Sequence, residues 1–186
     1  MGEIKSAWEI AMEKVERLGK LSPEELRRQK EEKYGSIGQI LAEKYLGGLA
    51  VWQMEVELEK YRAEERQMVK GALASGLIHV IELGNYGRLE KVMEGIVPLK
   101  QEEAAIREVK GEIEQLFHEH QQVEKEGTQE MEKSAREVLH QLRISGSAIG
   151  AINPKAIPEG REGLSIAAQP YEERLERLKR RLLDLN

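Results

Sequence analysis

A chain of 186 residues is long enough for one domain, or for a small domain that carries an extended helical arm. Its residues are 40% hydrophobic but only 4% aromatic and 34% charged, so a buried core has to be aliphatic and thin, as in helical bundles and hairpins. Cysteine is absent and the formal net charge is -5, which excludes disulfides and thiolate chemistry and disfavours a phosphate-binding surface spread over the whole molecule.

The first predicted element is an amphipathic helix over residues 3–18. Apolar residues recur there with the spacing of one helix face, and Gly19 supplies a stop signal. The opening Met1-Gly-Glu-Ile-Lys-Ser-Ala-Trp8 and its glutamate-rich continuation resemble the start of an uncharacterised group of small bacterial proteins, classed as a domain of unknown function. This resemblance implies a bacterial origin and no activity, cofactor or site residue.

A capping motif marks the start of the second predicted helix. Ser22 is placed as the N-cap, the next residue is a proline suited to the first helical position, and Glu25 completes a capping box. We expect a helix over residues 24–33, after which Gly35 and Gly38 loosen the chain.

The centre of the core is predicted in the middle of the chain. Apolar residues keep a heptad spacing over residues 51–68, with Glu65 as a polar member, and the helix is expected to continue to Gly84. Residues 71–83 are apolar on most sides, which is typical of a buried helix. Asn85 is a suitable cap for the short helix predicted after it.

Two heptad arms are predicted in the C-terminal half. Pro98 is expected to start a long helix that ends near Arg143, and a second arm is expected to begin at Pro170. Acidic residues outnumber basic ones in residues 100–143, whereas basic residues outnumber acidic ones in residues 171–186. Because opposite charges attract, we expect the two arms to pair as an antiparallel hairpin.

The seam of this hairpin is predicted to consist of apolar side chains from both arms. Its members are Met131, Ala135, Val138, Leu142, Tyr171, Leu175, Leu178 and Leu182. If the arms fold back antiparallel, the expected neighbours are Leu142 with Tyr171, Val138 or Leu139 with Leu175, Ala135 with Leu178, and Met131 with Leu182.

The connection between the arms, residues 144–169, is much longer than an antiparallel pair needs. Its apolar composition differs from that of a disordered linker, so it either packs on its own protein, binds another chain or forms a mobile segment. The candidate partner-binding residues are Ile144, Ile149, Ile152, Ile157, Leu164 and Ile166.

Metal binding is the weaker interpretation of the histidines. Glu114 and His118 lie four residues apart on one helix face, but His118 and His120 point about 200° apart on a helix. Glu137 and His140 form half of a Glu-x-x-His di-metal motif that has no second copy in the chain. The candidate ligands are Glu114, His118, His120 and His140. Surface or seam positions explain them better, so no metal or cofactor is predicted.

Nucleotide and nucleic-acid binding are both disfavoured. The small residues at 145–150 lack the Gly-Lys-Ser/Thr ending of a phosphate-binding loop. The basic residues of the last helix are interleaved with glutamates and have no aromatic platform beside them. These basic residues are Arg174, Arg177, Lys179, Arg180 and Arg181.

The predicted fold is all-α, an elongated helical bundle with a long antiparallel, coiled-coil-like hairpin. Residues 1–97 are expected to form the bundle core and residues 98–186 the hairpin with its apolar loop. One continuous domain is the alternative.

The leading hypothesis for function is a non-enzymatic interaction or scaffold protein that acts through its seams and the 144–169 loop. Its partner would be another protein or a second copy of the chain, which makes a homo-oligomer. The first alternative is a ligand- or metal-binding bundle that also recruits His79, and the second is a nucleic-acid-associated regulator. The sequence has no signal-peptide pattern and no apolar stretch long enough for a bilayer, so a cytoplasmic location is expected.

Overall fold

A computed structural model describes residues 22–144 and 152–185 of the chain. The helix predicted over residues 3–18 and the predicted partner-binding residue Ile149 lie outside these ranges. Within them every regular element is helical and no strand occurs, which confirms the all-α fold class. The α-helices are α1 Pro23–Leu46, α2 Val51–Glu59, α3 Ala63–His79, α4 Tyr86–Ile96, α5 Glu103–Gln141 and α6 Pro158–Asp184, and short 3-10 turns span Val97–Leu99 and Pro154–Ala156.

The chain divides into two compact units after Leu73, inside α3. The first unit therefore contains α1, α2 and the start of α3, and the second contains the end of α3 and the three helices that follow. The division expected after residue 97 lies at a different position in the chain, and it stays a prediction.

The predicted capping box is present at the start of α1. The Glu25 backbone N–H donates to Ser22 Oγ at 3.1 Å, and the Ser22 backbone N–H donates to Glu25 Oε2 at 2.7 Å. Both exchanges satisfy N–H groups that the first turn of a helix leaves unpaired. The helix does not end near residue 33, however, but runs on to Leu46.

The expectation that Gly38 loosens the chain was wrong, because this glycine lies where two helices cross. A Cβ atom at Gly38 would stand 2.6 Å from the Val69 carbonyl oxygen and 2.6 Å from the Ala72 Cβ, so only glycine fits against α3. One turn earlier, the Tyr34 hydroxyl donates to Glu65 Oε1 at 2.5 Å across the same pair of helices. The crossing of α1 and α3 thus combines a close approach of the helix backbones with one hydrogen bond between side chains.

The helix expected to be continuous from residue 51 to Gly84 is interrupted between α2 and α3. Two side chains stabilise the break: Arg66 Nε donates to the Leu58 carbonyl oxygen at 2.9 Å, and Glu65 Oε2 accepts the Arg62 N–H at 3.4 Å. Glu65 therefore serves as a cap and as the acceptor of Tyr34, instead of being a polar member of a heptad seam. The buried apolar residues of this first unit are Tyr34, Leu41, Ala42, Tyr45, Met54, Leu58, Val69 and Leu73.

The second unit has an aliphatic core with one phenylalanine. Residues at the end of α3 are buried as predicted, and Asn85 Oδ1 accepts the Arg88 N–H at 3.1 Å to cap α4. The ring of Tyr86 meets that of Phe117 edge to face at 5.3 Å. The buried apolar residues of this unit are Ala74, Leu77, Ile78, Ile81, Leu89, Val92, Met93, Ile96, Leu99, Ile106, Val109, Ile113, Leu116, Phe117, Leu175 and Leu182.

The boundaries of the hairpin differ from those expected. Pro98 belongs to a 3-10 turn, and α5 begins after it at Glu103. The last helix begins at Pro158 and continues through Pro170, so residues 158–169 are helical and not part of a loop. Pro158 occupies the first helical position, where its missing N–H costs nothing. Pro170 removes one backbone hydrogen bond of this helix. In the turns before it, Gly163 lies close to Met131 and Leu164 lies close to Gly127 of α5.

We predict that Gly38→Ala lowers the free energy of unfolding by about 1–3 kcal/mol, since the added methyl group forces α1 and α3 apart. Gly35→Ala is the matched control on the same helix, because a Cβ there has no neighbour within 4 Å. That control should raise the free energy of unfolding by roughly 0.5–1 kcal/mol. Urea denaturation of both variants measures the effect, and equal changes would contradict the tight crossing.

Candidate functional site

The register between α5 and α6 is defined by contacts along the length of the hairpin. Near its middle, the rings of His120 and Tyr171 lie 5.5 Å apart, and Arg174 Nη1 donates to Glu119 Oε2 at 2.7 Å. Nearer the C-terminus, Arg181 donates to two carboxylates of α5, those of Glu112 at 2.6 Å and Glu108 at 2.9 Å. Residues later in α6 contact residues earlier in α5, so the two helices are antiparallel.

The predicted register of the seam was therefore wrong. Tyr171 was expected beside Leu142 but lies against His120, and Leu178 lines a groove with Gln115 instead of meeting Ala135. The error follows from the start of α6: a helix that begins at Pro158 places its leucines much farther along α5 than one that begins at Pro170. Of the predicted seam residues, Leu175 and Leu182 are buried, Met131, Ala135, Tyr171 and Leu178 are half-buried, and Val138 and Leu142 are exposed.

A lysine anchors the C-terminal end of α6. The Lys100 ammonium donates to the Leu183 carbonyl oxygen at 3.0 Å and also to that of Leu185. These carbonyl groups have no partner within the helix, and a cation near them is also favoured by the helix dipole. Burial lowers the pKa of Lys100, while Asp184 and Glu102 act in the opposite direction.

The other end of the hairpin leaves part of α5 without a partner helix. A Cβ at Gly163 would stand 2.8 Å from Met131 Cε, so α6 is in close contact with α5 at this level. Beyond it, Val138 and Leu142 lie within about 20° of Ile113 when successive residues are placed 100° apart. Ile113 is fully buried, whereas Val138 is 53% exposed and Leu142 is 65% exposed. The buried face of α5 thus continues past the helix that covers it.

A tight turn ends α5 next to this uncovered face. The Ile144 N–H donates to the Leu139 carbonyl oxygen at 2.9 Å and the Arg143 N–H to that of His140 at 3.0 Å. Arg143 has a φ of 60°, in the left-handed region. These two bonds and this backbone conformation form a Schellman motif. The sequence did not reveal it, because an arginine stands where glycine is the usual signal.

We call the exposed apolar side chains at this end the hairpin tip, comprising Val138, Leu142, Ile144 and Ile157. Ile144 is 40% exposed and Ile157 is 49% exposed. If the register of Met131 opposite Gly163 is extended by six residues, Ile157 falls at about the level of residue 137 of α5. The hairpin tip therefore contains side chains from the end of α5 and from the residue that precedes α6.

The remaining residues predicted to bind a partner have different surroundings. Leu164 approaches Gly127 and is half-buried, and Ile152 is half-buried as well. Ile166 is 58% exposed, but it lies about 160° around α6 from Leu164 and so faces away from α5. The segment before α6 folds against the hairpin, because Lys155 Nζ forms an ion pair with Glu124 Oε1 at 2.6 Å.

The candidate metal ligands do not converge. All of Glu114, His118, His120 and His140 belong to α5, and His120 contacts Tyr171 while Glu114 pairs with Lys110 at 3.5 Å. Within residues 22–144 and 152–185, no three His, Asp or Glu side chains are grouped so that they could hold a metal ion.

The basic residues of α6 are largely engaged by acidic ones. Arg174 and Arg181 pair with glutamates of α5, and Lys179 and Glu176, about one turn apart on α6, form an ion pair at 2.9 Å. Lys179 is 9% exposed, so its charge is withdrawn from the surface. The helix therefore presents a mixed, internally paired charge distribution and not a concentrated positive face.

A family match covers most of the chain. The family described as "Family of unknown function (DUF6657)" matches residues 55–184. The chain belongs to this family. Membership agrees with the resemblance to an uncharacterised family, although the matched span begins after the N-terminal residues that carried it. The match includes both helices of the hairpin and the whole of the hairpin tip.

No curated protein and no solved structure is detectably similar to the chain. None of the helices in the described part of the chain has both the length and the apolar composition that crossing a bilayer requires.

We predict that Arg143→Gly raises the free energy of unfolding by about 0.5–1 kcal/mol, because glycine adopts the left-handed conformation without the steric cost of a Cβ. Arg143→Ala removes the same charge but keeps that cost, so it separates the two effects. Denaturant unfolding of both variants measures the difference. A stabilisation of equal size in the alanine variant would attribute the gain to charge and contradict the backbone explanation.

The hairpin also predicts a dependence of stability on pH. Hydrogen bonds from Arg174 and then Gln115 lower the pKa of Glu119 below its ordinary value of 4.5. The carboxylate of Glu119 therefore contributes stability above that pH, and the contribution is lost as the pH falls through the lowered pKa of the folded chain. Unfolding curves measured between neutral and acid pH should show a smaller loss of stability on acidification in Arg174→Gln than in the wild type.

Arg177→Gln is the control for this experiment, since Arg177 forms no ion pair with another described residue. Its pH profile should follow that of the wild type. If both variants flatten the profile equally, net charge and not the Arg174–Glu119 pair determines the pH dependence.

Proposed function

We propose that this protein is a non-enzymatic helical interaction protein that binds a second copy of itself through the hairpin tip. The observation that carries the proposal is the uncovered continuation of the α5 seam, where Val138 and Leu142 are exposed on the same helix face that is buried farther upstream. Burial of each such side chain contributes about 1.5–3 kcal/mol, so a covering helix is favoured.

The spacing of the apolar residues at this end supports self-association. Met131, Ala135, Val138 and Leu142 are separated by four, three and four residues, a pattern that is the same in both directions. Two antiparallel copies can therefore place Ala135 opposite Val138, and bring Leu142 of one copy to the edge of the other at Met131, whose side chain is already half-buried against α6. A symmetric pairing of this kind uses the same surface on both chains.

Charge supports the same arrangement. Glu132 precedes the exposed residues, and Arg143 follows them in the turn that ends α5. An antiparallel second copy brings Arg143 of one chain to the level of Glu132 of the other. Within one chain Glu132 already pairs with Arg136 at 2.6 Å, so the approach of a further arginine extends an existing ion pair. The scaffold role, the cytoplasmic location and the bacterial origin stay predictions.

The test is light scattering coupled to size-exclusion chromatography over a range of protein concentrations. The wild type should approach twice the chain mass of 21.2 kDa as concentration rises. Val138→Glu/Leu142→Glu should remain a monomer with unchanged helicity, because four charges would otherwise meet in the paired seam. A wild type that is monomeric at all concentrations would contradict self-association.

Leu183→Glu is the matched control. Leu183 is an exposed apolar residue of α6 at the opposite end of the hairpin, so this variant adds a charge without touching the tip. It should associate like the wild type. If both the control and the tip variant become monomers, a general effect of charge is responsible; if neither does, association uses another surface.

A further inference from the structure

The first unit carries a stripe of apolar and basic side chains along α1. Its positions are separated alternately by four and three residues, as in a coiled-coil seam, and are 26, 30, 33, 37, 40 and 44. Leu26 is 47% exposed, Ile40 is 49% exposed and Ile37 is half-buried. The stripe lies about 100° around the helix from the residues that α1 buries. A further helix can therefore pack on the stripe without displacing the core of this unit.

An apolar groove deepens the C-terminal part of the stripe. Its volume of about 270 Å³ is below the range of about 300–1,000 Å³ that is typical of small-molecule sites. On α2, Trp52 is 64% exposed and Val56 is 48% exposed, so exposed apolar surface continues beyond the groove. An elongated occupant fits this surface better than a compact ligand does. The apolar lining of the groove consists of Ile37, Ile40, Leu41, Leu49 and Tyr61.

The charged residues of α1 are segregated around the helix axis. The stripe contains Lys30, Lys33 and Lys44 and no acidic residue. The glutamates of α1 all lie at least about 100° from the centre of the stripe when successive residues are placed 100° apart. The surface that carries the apolar residues is therefore positively charged. The glutamates are Glu24, Glu25, Glu31, Glu32 and Glu43.

These lysines have few carboxylate partners. Lys30 Nζ lies 3.9 Å from Glu64 Oε2, at the outer limit of an ion pair. Lys33 Nζ lies 5.3 Å from the centre of the Tyr34 ring. Neither Lys33 nor Lys44 forms an ion pair with a residue of the described ranges. Both charges are therefore open to a partner.

The acidic residue of the groove does not cancel this charge. Glu57 lines the groove, but its Oε1 atom forms an ion pair with Lys60 Nζ at 2.5 Å. Lys44 lines the same groove and leaves it with a net positive charge. An anionic group is thus the natural counterpart at this end of the stripe.

We propose that the stripe and its groove bind an acidic amphipathic helix of a partner protein. Residues 33–44 span about 16 Å, or three helical turns, with the two isoleucines between a lysine at each end. The matching helix presents apolar side chains at spacings of three and four residues and carboxylates on their flanks. Apolar burial supplies the affinity, and the paired charges select an acidic partner over a basic one.

Fluorescence anisotropy with two labelled synthetic peptides tests the proposal on the full chain. Both are amphipathic helices of about sixteen residues with the same leucines, and one has glutamates on its flanks where the other has lysines. The acidic peptide should bind about tenfold more tightly at low ionic strength, and added salt should reduce the difference. Equal binding of the two peptides would overturn the proposal. So would no binding of either, which is also the result if residues 1–21 of the chain occupy the stripe.

Reversal of the charges provides the specific test. Lys33→Glu/Lys44→Glu should bind the basic peptide more tightly than the acidic one, and Lys33→Gln/Lys44→Gln should bind both about equally with less disturbance of the helix. Arg28→Glu/Lys133→Glu is the matched control, because it changes the net charge as much as the first variant does, at exposed positions away from the stripe. Circular dichroism checks that the helices persist. A reversed preference in the control as well would attribute the selectivity to net charge and overturn the proposal.

Two further variants separate this surface from the hairpin tip. Val138→Glu/Leu142→Glu should bind the acidic peptide like the wild type, so the outcome does not depend on self-association through the tip. Ile37→Glu/Ile40→Glu should abolish peptide binding and leave the mass in light scattering unchanged. A lower mass in this variant would identify the occupant as a second copy of the chain and would overturn the proposal.

Discussion

The register between α5 and α6 determines which apolar side chains of the hairpin are covered. Apolar burial alone does not select a register, because a leucine stripe can slip by one heptad and bury a similar area. Directional contacts select one register. Arg181 donates hydrogen bonds to two glutamates of α5, and Lys100 donates to carbonyl groups at the C-terminal end of α6. At the other end, Gly163 allows close contact with Met131. Exposed ion pairs are individually weak, so their importance here lies in specificity more than in stability.

Much of the local structure could be predicted from the sequence because it depends on neighbouring residues. The capping box at Ser22 and the cap at Asn85 involve groups three residues apart, and both are present. The predictions failed where a distant partner decides the outcome. Gly38 disfavours a helix by itself, yet α1 continues through it because α3 approaches too closely for a side chain. Likewise, Pro170 is a local stop signal, but α6 runs through it, and the preceding residues Gly163 and Leu164 lie close to Met131 and Gly127 of α5.

The candidate site was predictable in composition but not in geometry. The apolar character of Ile144 and Ile157 identified the region, since a solvent-exposed linker is normally polar. The part played by Val138 and Leu142 was not predictable, because the heptad pattern assigns them to a covered seam. Only the starting point of α6 shows that the seam extends beyond its partner. The turn at Arg143 was hidden for another reason, since its left-handed backbone has no glycine to mark it.

Helix α3 supplies buried side chains to both compact units, with Leu73 in the first and Leu77 in the second. Melting this one helix would open two hydrophobic cores at once. A substitution that weakens α3 would disturb the buried side chains Val69 and Leu73 in the first unit and Leu77 and Ile78 in the second.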